Sequence, residues 1–211
     1  FTNSDKGRIL NASLKAQKTF ENGLYLMAAY NFLDSKDINS NDAEITGDAF
    51  AFNPVLSNAS DAILAPSKYG DKHRFIGVAA MSWNYGSSKE WTTTITSFYE
   101  LAKGGRFNYT YAGDINNDES NLNDLIYILI TSETVQMNFS TATDAVNLWN
   151  FIRQDDHLQD RRGQCAERYG ALTPWRGKMD VKFIQNLKIG DNNSLEFSID
   201  VLNFGNLLNS G

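Results

Sequence analysis

The sequence predicts an all-β protein: an antiparallel, up-and-down transmembrane β-barrel sector with long extracellular loops, about six long strands of a larger barrel. Three observations carry that prediction. Apolar and polar side chains alternate with period two over stretches longer than the usual soluble strand of about 5–6 residues. The connections between these stretches run short, long, short, long, short. Aromatic side chains gather near the strand ends, where rings with one apolar and one wet end suit a membrane interface.

The first stretch, Arg8 to Phe20, sets Leu10, Ala12, Leu14 and Ala16 on one face and Asn11, Ser13, Lys15 and Gln17 on the other. Such alternation marks a strand whose two faces meet different surroundings. A tight turn at 21–23 follows, because Asn22-Gly23 readily supplies positive φ. Leu24 to Phe32 returns, and a long polar segment covers 34–72. His73 to Tyr85 then aligns Phe75, Gly77, Ala79, Met81, Trp83 and Tyr85, and residues 86–89 turn the chain. Glu90 to Leu101 aligns Trp91, Thr93, Ile95, Ser97, Tyr99 and Leu101, with room to continue through Arg106 to Tyr111. The second long segment spans 112–173. Trp175 to Leu187 sets Met179, Val181, Phe183 and Leu187 against Arg176, Lys178, Asp180 and Lys182. A turn at 190–193 leads into Leu195, Phe197, Ile199 and Val201, alternating with Glu196, Ser198 and Asp200. Pro54, Pro66 and Pro174 all fall outside these stretches, as strand interiors require.

Tight turns at one end and large loops at the other are the pattern of outer-membrane barrels. The smallest such barrels have about 8 strands. Residues 1–211 are therefore read as one partial outer-membrane β-barrel domain. The chain opens at Phe1 without an initiator Met and closes on turn-like residues, so it reads as an internal or truncated stretch. The lipid-facing candidates are Leu10, Leu14, Met81, Met179, Val181, Phe183, Phe197, Ile199 and Val201, with their polar alternates facing a lumen or plug. Phe20, Trp83, Tyr85 and Trp91 gather on the short-turn side, and Phe32, Phe75, Tyr99 and Trp175 on the long-loop side. A soluble β-sandwich also alternates and buries Trp; the pattern favours the membrane barrel over it.

Composition removes other classes. With 19 Lys+Arg against 25 Asp+Glu, the net charge of −6 offers no concentrated basic surface for nucleic acid. Hydrophobic residues at 42% are too many for a disordered chain. The single Cys165 rules out an internal disulfide and any CxxC zinc cage. The longest apolar run, Leu24 to Tyr30, falls far short of the roughly 20 residues a spanning helix needs.

A set of words in the second long segment and its flanks is recognisable. They are Gly104-Gly105-Arg106-Phe107-Asn108-Tyr109-Thr110-Tyr111, Gly113-Asp114-Ile115-Asn116-Asn117-Asp118 and Asn123-Asp124-Leu125-Ile126-Tyr127-Ile128. Arg162-Gly163, Ala166-Glu167-Arg168, Thr173-Pro174-Trp175 and the stretch from Asp200 to Asn209 follow in order, after an early Lys72-His73-Arg74-Phe75. Together they resemble the C-terminal barrel region of Oar-like TonB-dependent outer-membrane receptors of the Bacteroidetes type, which carry a carboxypeptidase-regulatory-like domain. The resemblance covers nearly the whole chain. It departs at Leu129-Ile130, where the family usually has a Pro.

The resemblance implies a plugged barrel of about 22 strands in a Gram-negative outer membrane, with its large loops extracellular. It also implies ligand capture at the surface and energised import. The implied partners are outer-membrane lipid, the remaining strands and plug domain of the receptor, and the TonB system acting through that plug. A surface lipoprotein or a secretion or motility partner is a further candidate. The alternative is a non-transporting surface, adhesion or assembly-partner barrel, which the same resemblance allows.

No catalytic constellation stands out, and the chain is read as a non-enzyme. Asp114, Asn116, Asp118 and Ser120 alternate as the oxygen ligands of a calcium loop do, with Asp124 as a further carboxylate. The loop departs from an EF-hand, with Glu119 at the usual Gly and Leu125 at the usual bidentate Glu; a solvated acidic turn is the competing reading, and calcium is the only cofactor candidate. Ala145, Leu148, Trp149 and Ile152 predict a short amphipathic helix, capped by Thr141 or Thr143, that serves as a ligand platform or packs on neighbouring loops. The charges from Arg153 to Arg168 are read as ion pairs between loop segments, and His73 and His157 as interfacial or surface side chains. Asn11, Asn58, Asn108 and Asn138 begin N-x-S/T triplets of the kind that arise by chance in an Asn- and Ser-rich chain.

Overall fold

A computed structural model of the chain describes residues 4–40, 43–131 and 136–208. Asn209, the end of the last family-like word, lies outside them. The chain divides into two compact units. Unit 1 takes Phe1–Ile9, Asp34–Gly70 and Gly105–Thr173; unit 2 takes Leu10–Leu33, Asp71–Gly104 and Pro174–Gly211.

Unit 2 is built on the six long strands. They are β1 (Arg8–Thr19), β2 (Leu24–Asp37), β4 (His73–Tyr85), β5 (Trp91–Lys103), β8 (Arg176–Ile189) and β9 (Asn193–Val201). Their order in the sheet is β1-β2-β4-β5-β8-β9, so each long strand pairs with the next, up and down. Successive pairs from β2 onward are antiparallel. The sheet is open: among the described residues β1 and β9 are its two edges.

The turns follow from their residues. Gly23 sits at φ 88°, and a Cβ there would lie 2.4 Å from the Ser82 carbonyl oxygen. Only glycine lets the β1–β2 turn approach β4, where Ser82 N–H donates to the Gly23 carbonyl at 3.2 Å. At the β4–β5 turn the Glu90 carboxylate accepts the Ser88 N–H at 2.8 Å. Hydrogen bonds from the turn's backbone N–H groups hold Glu90 below the usual carboxylate range.

Register sorts the side chains into two faces. One carries Tyr30, Phe75 and Leu101 in a row, then Ala28, Gly77, Tyr99 and Met179, then Leu26, Ala79, Ser97, Val181 and Val201. Below these come Leu24, Met81, Ile95, Phe183 and Ile199, and finally the rows of Trp83 with Phe197 and of Tyr85, Trp91, Leu187 and Leu195. The opposite face is more polar but not uniformly so. Arg74 pairs with Glu100 at 2.9 Å, Lys178 with Asp180 at 2.9 Å and Lys182 with Asp200 at 3.3 Å. Between those pairs Met27, Val78 and Phe98 share a row, an apolar stripe where the alternation led us to expect polar side chains.

Unit 1 holds the molecule's packed core. Short pairings tie its segments together: β2 meets β3 (Ala65–Pro66) through Lys36↔Pro66, and β6 (Arg106–Phe107) meets β7 (Ala171–Leu172). Single bridges join Val55 to Asp124, Thr110 to Leu125 and Tyr127 to Cys165. Among the described residues there are four short helices: α1 (Thr46–Ala51), α2 (Ala142–Gln154) and α3 (Asp156–Gln159) in unit 1, and α4 (Phe204–Leu208) in unit 2. Leu125, Ile128, Leu129, Ile152, Leu158 and Ala166 form the core, with Tyr109, Leu148 and Trp149 packed against it. Ile128, Leu129, Ile152 and Leu158 are 0% exposed, and each contributes about 1.5–3 kcal/mol by leaving water.

Three expectations are corrected here. The fourth strand does not run on to Tyr111: it stops at Lys103, because Gly105 turns at φ 67° and Arg106–Phe107 pair with β7 instead. The second strand is longer than read, reaching Asp37 through its pairing with β3. Residues 204–208, read as turn-like, form α4.

Candidate functional site

The uncovered apolar face of unit 2 is the first candidate. Among the described residues, Ala102 is the only buried hydrophobic residue of unit 2; all the others belong to unit 1. Leu14 is 75% exposed, Phe197 59% and Ile199 48%. Contiguous apolar surface of this extent marks an interface with lipid or protein. All seven lipid-facing candidates on β4, β8 and β9 fall on this one face.

Aromatic rows bound the face at both ends. At one end Tyr30 and Phe75 lie 4.6 Å apart between ring centres, and Trp175 lies 6.1 Å from Phe75 and 6.0 Å from His73. The Tyr30 hydroxyl meets His73 Nδ1 at 2.8 Å, which makes His73 a member of the aromatic row. At the other end stand Trp83, Tyr85 and Trp91. The main polar side chains on this face also sit at that end and satisfy one another. Tyr85 and Thr93 hydroxyls both donate to Gln185 Oε1, at 3.1 and 2.7 Å. The strand from Phe75 to Tyr85 rises about 3.3 Å per residue, about 33 Å in all.

The second candidate is the acidic loop of unit 1. Asp114 accepts the Asp118 and Glu119 N–H groups at 3.0 and 2.9 Å, and Asp118 accepts that of Ser120 at 3.0 Å. Asn116 Oδ1 accepts the Asp118 N–H at 2.9 Å. Asp124 Oδ2 takes the Ile115 and Asn116 N–H groups at 2.6 and 3.2 Å. The structure thus brings all five predicted oxygen residues into one loop. It adds Asn123, which the sequence reading passed over: fully buried, it donates from Nδ2 to Asp118 Oδ2 at 3.1 Å. Its place directly before Asp124 was the signal. Among the described residues no three His, Cys, Asp or Glu side chains converge tightly enough to hold a metal unaided.

Glu119 occupies the position where calcium loops carry Gly, and it stands at φ 71°. A non-glycine residue in that left-handed region costs about 1–2 kcal/mol. Glu119→Gly is therefore expected to stabilise unit 1 by about 1 kcal/mol, read as a raised midpoint in thermal unfolding.

The other predicted features have structural partners. Thr141, not Thr143, caps α2, in a reciprocal capping box with Asp144. Ala145 and Ile152 are buried and Leu148 and Trp149 pack on the core, so this helix face is spent inside unit 1 and offers no ligand platform. Arg161 pairs with Glu167 at 2.7 Å, and Arg162 stacks over Trp149 at 4.5 Å. Asn108 Oδ1 accepts the Tyr169 N–H, a structural use of that N-x-T triplet. His157 packs beside Tyr109, and burial foremost, with Arg161 nearby, pushes its pKa down. Burial and the hydrogen bond to Asp155 push the Tyr109 hydroxyl well up. Arg168, read only as one of the charges in that stretch, is 5% exposed, and no local pattern separates it from the others around it.

No protein-family model, no curated protein and no solved structure matches this chain.

Proposed function

We propose that unit 2 is wall from a larger outer-membrane β-barrel, and that the chain is the C-terminal barrel region of an Oar-like TonB-dependent receptor. In this reading the apolar face of the sheet contacts acyl chains in the outer membrane of a Gram-negative bacterium. The opposite face meets the lumen, where the plug domain sits and through which TonB drives import. The long segments gathered in unit 1 lie outside the cell and contact ligand or partner.

The observation that supports this most directly is the uncovered apolar face. Strand after strand presents Leu, Met, Ile, Val and Phe side chains to nothing within unit 2. A soluble sandwich covers one such face with a second sheet packed about 10 Å away. Two aromatic rows about 33 Å apart along the strand add a length that, at a barrel strand's tilt of about 40°, matches a bilayer's apolar band. The order of the family-like words from Lys72 to Leu208 supports the receptor assignment. A non-transporting surface barrel shares the same wall; the self-contained core of unit 1, a firm scaffold for docking, is what favours that second reading.

Nitroxide labels at Val181 and Phe197 of the full chain in lipid test the wall. Both are expected to collide freely with oxygen and to be shielded from a water-soluble nickel reagent, with a Thr96 label on the other face behaving in the opposite way. Immobile labels shielded from both reagents would identify a protein interior and remove the barrel reading.

A further inference from the structure

We propose that the 114–124 loop is a calcium site, and that the ion fastens this loop to residues 51–57 of the same unit. The argument rests on two buried oxygens and is independent of what covers the sheet. Asp124 is 3% exposed; its Oδ2 takes two loop N–H groups, while Oδ1 is sealed from solvent with no hydrogen-bond partner. Asn123 is 0% exposed; its Nδ2 is committed to Asp118, while Oδ1 is likewise sealed and unpartnered. Each side chain is held on the acidic loop by its satisfied atom. Buried polar oxygens lacking a donor are rare and call for an ion or water.

Charge decides between those two. The loop carries the carboxylates of Asp114, Asp118 and Asp124, and among the described residues no Lys or Arg pairs with any of them. A neutral water offsets none of that negative charge; a divalent cation does. The donors are all oxygens, from three carboxylates, two amides and the Ser120 hydroxyl, with no sulfur or imidazole among them. That set selects a hard cation. Its spread along a flexible loop suits calcium, which accepts 6–8 irregular ligands, better than magnesium, which demands a tight octahedron.

The carboxylates of Asp114 and Asp118 are turned onto backbone N–H groups, which is why they do not converge. Calcium seated at Asp124 and Asn123 draws both inward, closing the loop around it. The loop already grips 51–57: Asn116 Nδ2 donates to the Ser57 carbonyl at 2.9 Å, Ser120 Oγ to that of Ala51 at 2.9 Å, and Val55 N–H to that of Asn123 at 2.8 Å. Closing it therefore stiffens that neighbouring segment as well.

The test is a calorimetric calcium titration of the full chain after stripping with EGTA, beside thermal unfolding with calcium or EGTA present. Saturable binding is expected with a Kd of about 10⁻⁴–10⁻³ M, the range of open extracellular sites, together with a higher unfolding midpoint in calcium. Asp114→Asn is expected to weaken binding at least tenfold, and Asp118→Asn with Asp124→Asn to abolish it. Asp191→Asn, in the β8–β9 turn of unit 2, leaves it unchanged. The wild-type titration needs no variant to fold. Absence of saturable calcium binding up to about 10 mM, or magnesium binding as tightly as calcium, overturns the proposal.

Discussion

Arg168→Met is expected to destabilise unit 1 by about 3 kcal/mol, because it removes the charge that closes a buried polar network. The guanidinium is 5% exposed and donates from Nη1 to the Ile38 carbonyl and to Asn53 Oδ1 at 3.0 Å. Nη2 donates to the Asp37 carbonyl at 2.5 Å and to Asp37 Oδ1 at 3.1 Å. Asp37 in turn accepts the hydroxyl of buried Ser40, whose oxygen accepts the Lys68 N–H at 2.9 Å. Burial lowers the Arg168 pKa and Asp37 opposes that shift, so an arginine, with its high intrinsic pKa, keeps its charge here where a lysine would be readier to lose it. Methionine fills much of the volume but takes the donor from four acceptors. Asp37 is 29% exposed, which lets water recover part of the loss and keeps the figure at the low end for a broken buried pair. Denaturant titration supplies the magnitude. Hydrogen exchange is expected to accelerate at residues 37–40, 53 and 166–171 while the unit 2 strands keep their protection; uniform loss across both units would contradict the local network.

Val181→Arg is expected to cost about 2–4 kcal/mol for the chain folded in a bilayer, the penalty for a cation near the midplane of a barrel's lipid face. Val181 lies in the row of Leu26, Ala79, Ser97 and Val201, well inside both aromatic rows. Thr96→Arg, one residue along β5 from Val181's partner and on the opposite face, should change stability by less than about 1 kcal/mol. Folding titrations into vesicles, run on both variants, give the comparison. Equal costs at the two positions would show that the faces are not distinguished by their surroundings, and the lipid assignment would fail.

Legibility in the sequence tracked the range of the interactions involved. β4 occupies His73–Tyr85, the range the alternation predicts, because a strand with unlike faces writes its period directly into neighbouring residues. α2 was legible for the same reason, through the spacing of Ala145, Leu148, Trp149 and Ile152 and a capping residue three before Asp144. The strand that stops at Lys103 was not: Arg106 and Phe107 look strand-like, and only their pairing with Ala171–Leu172, far along the chain, redirects them. Arg168 and Asn123 were invisible for a related cause. Their burial comes from segments 37–53 and 51–57, which sequence spacing cannot place beside them. Leu129, where the resembled family has Pro, proves to be a core side chain, a role that proline's shape would fill poorly.

The two flanking strands carry a requirement of their own. Along β1 and β9, every second peptide group directs its N–H and C=O away from the sheet, with no further ladder among the described residues to receive them. Hydrocarbon supplies neither donors nor acceptors, so in that medium each margin can be completed only by another extended backbone and never by side chains alone. In water the same margins would recruit copies of this chain and grow ribbons. Solubility and correct assembly are then one problem, settled by whichever strand arrives first.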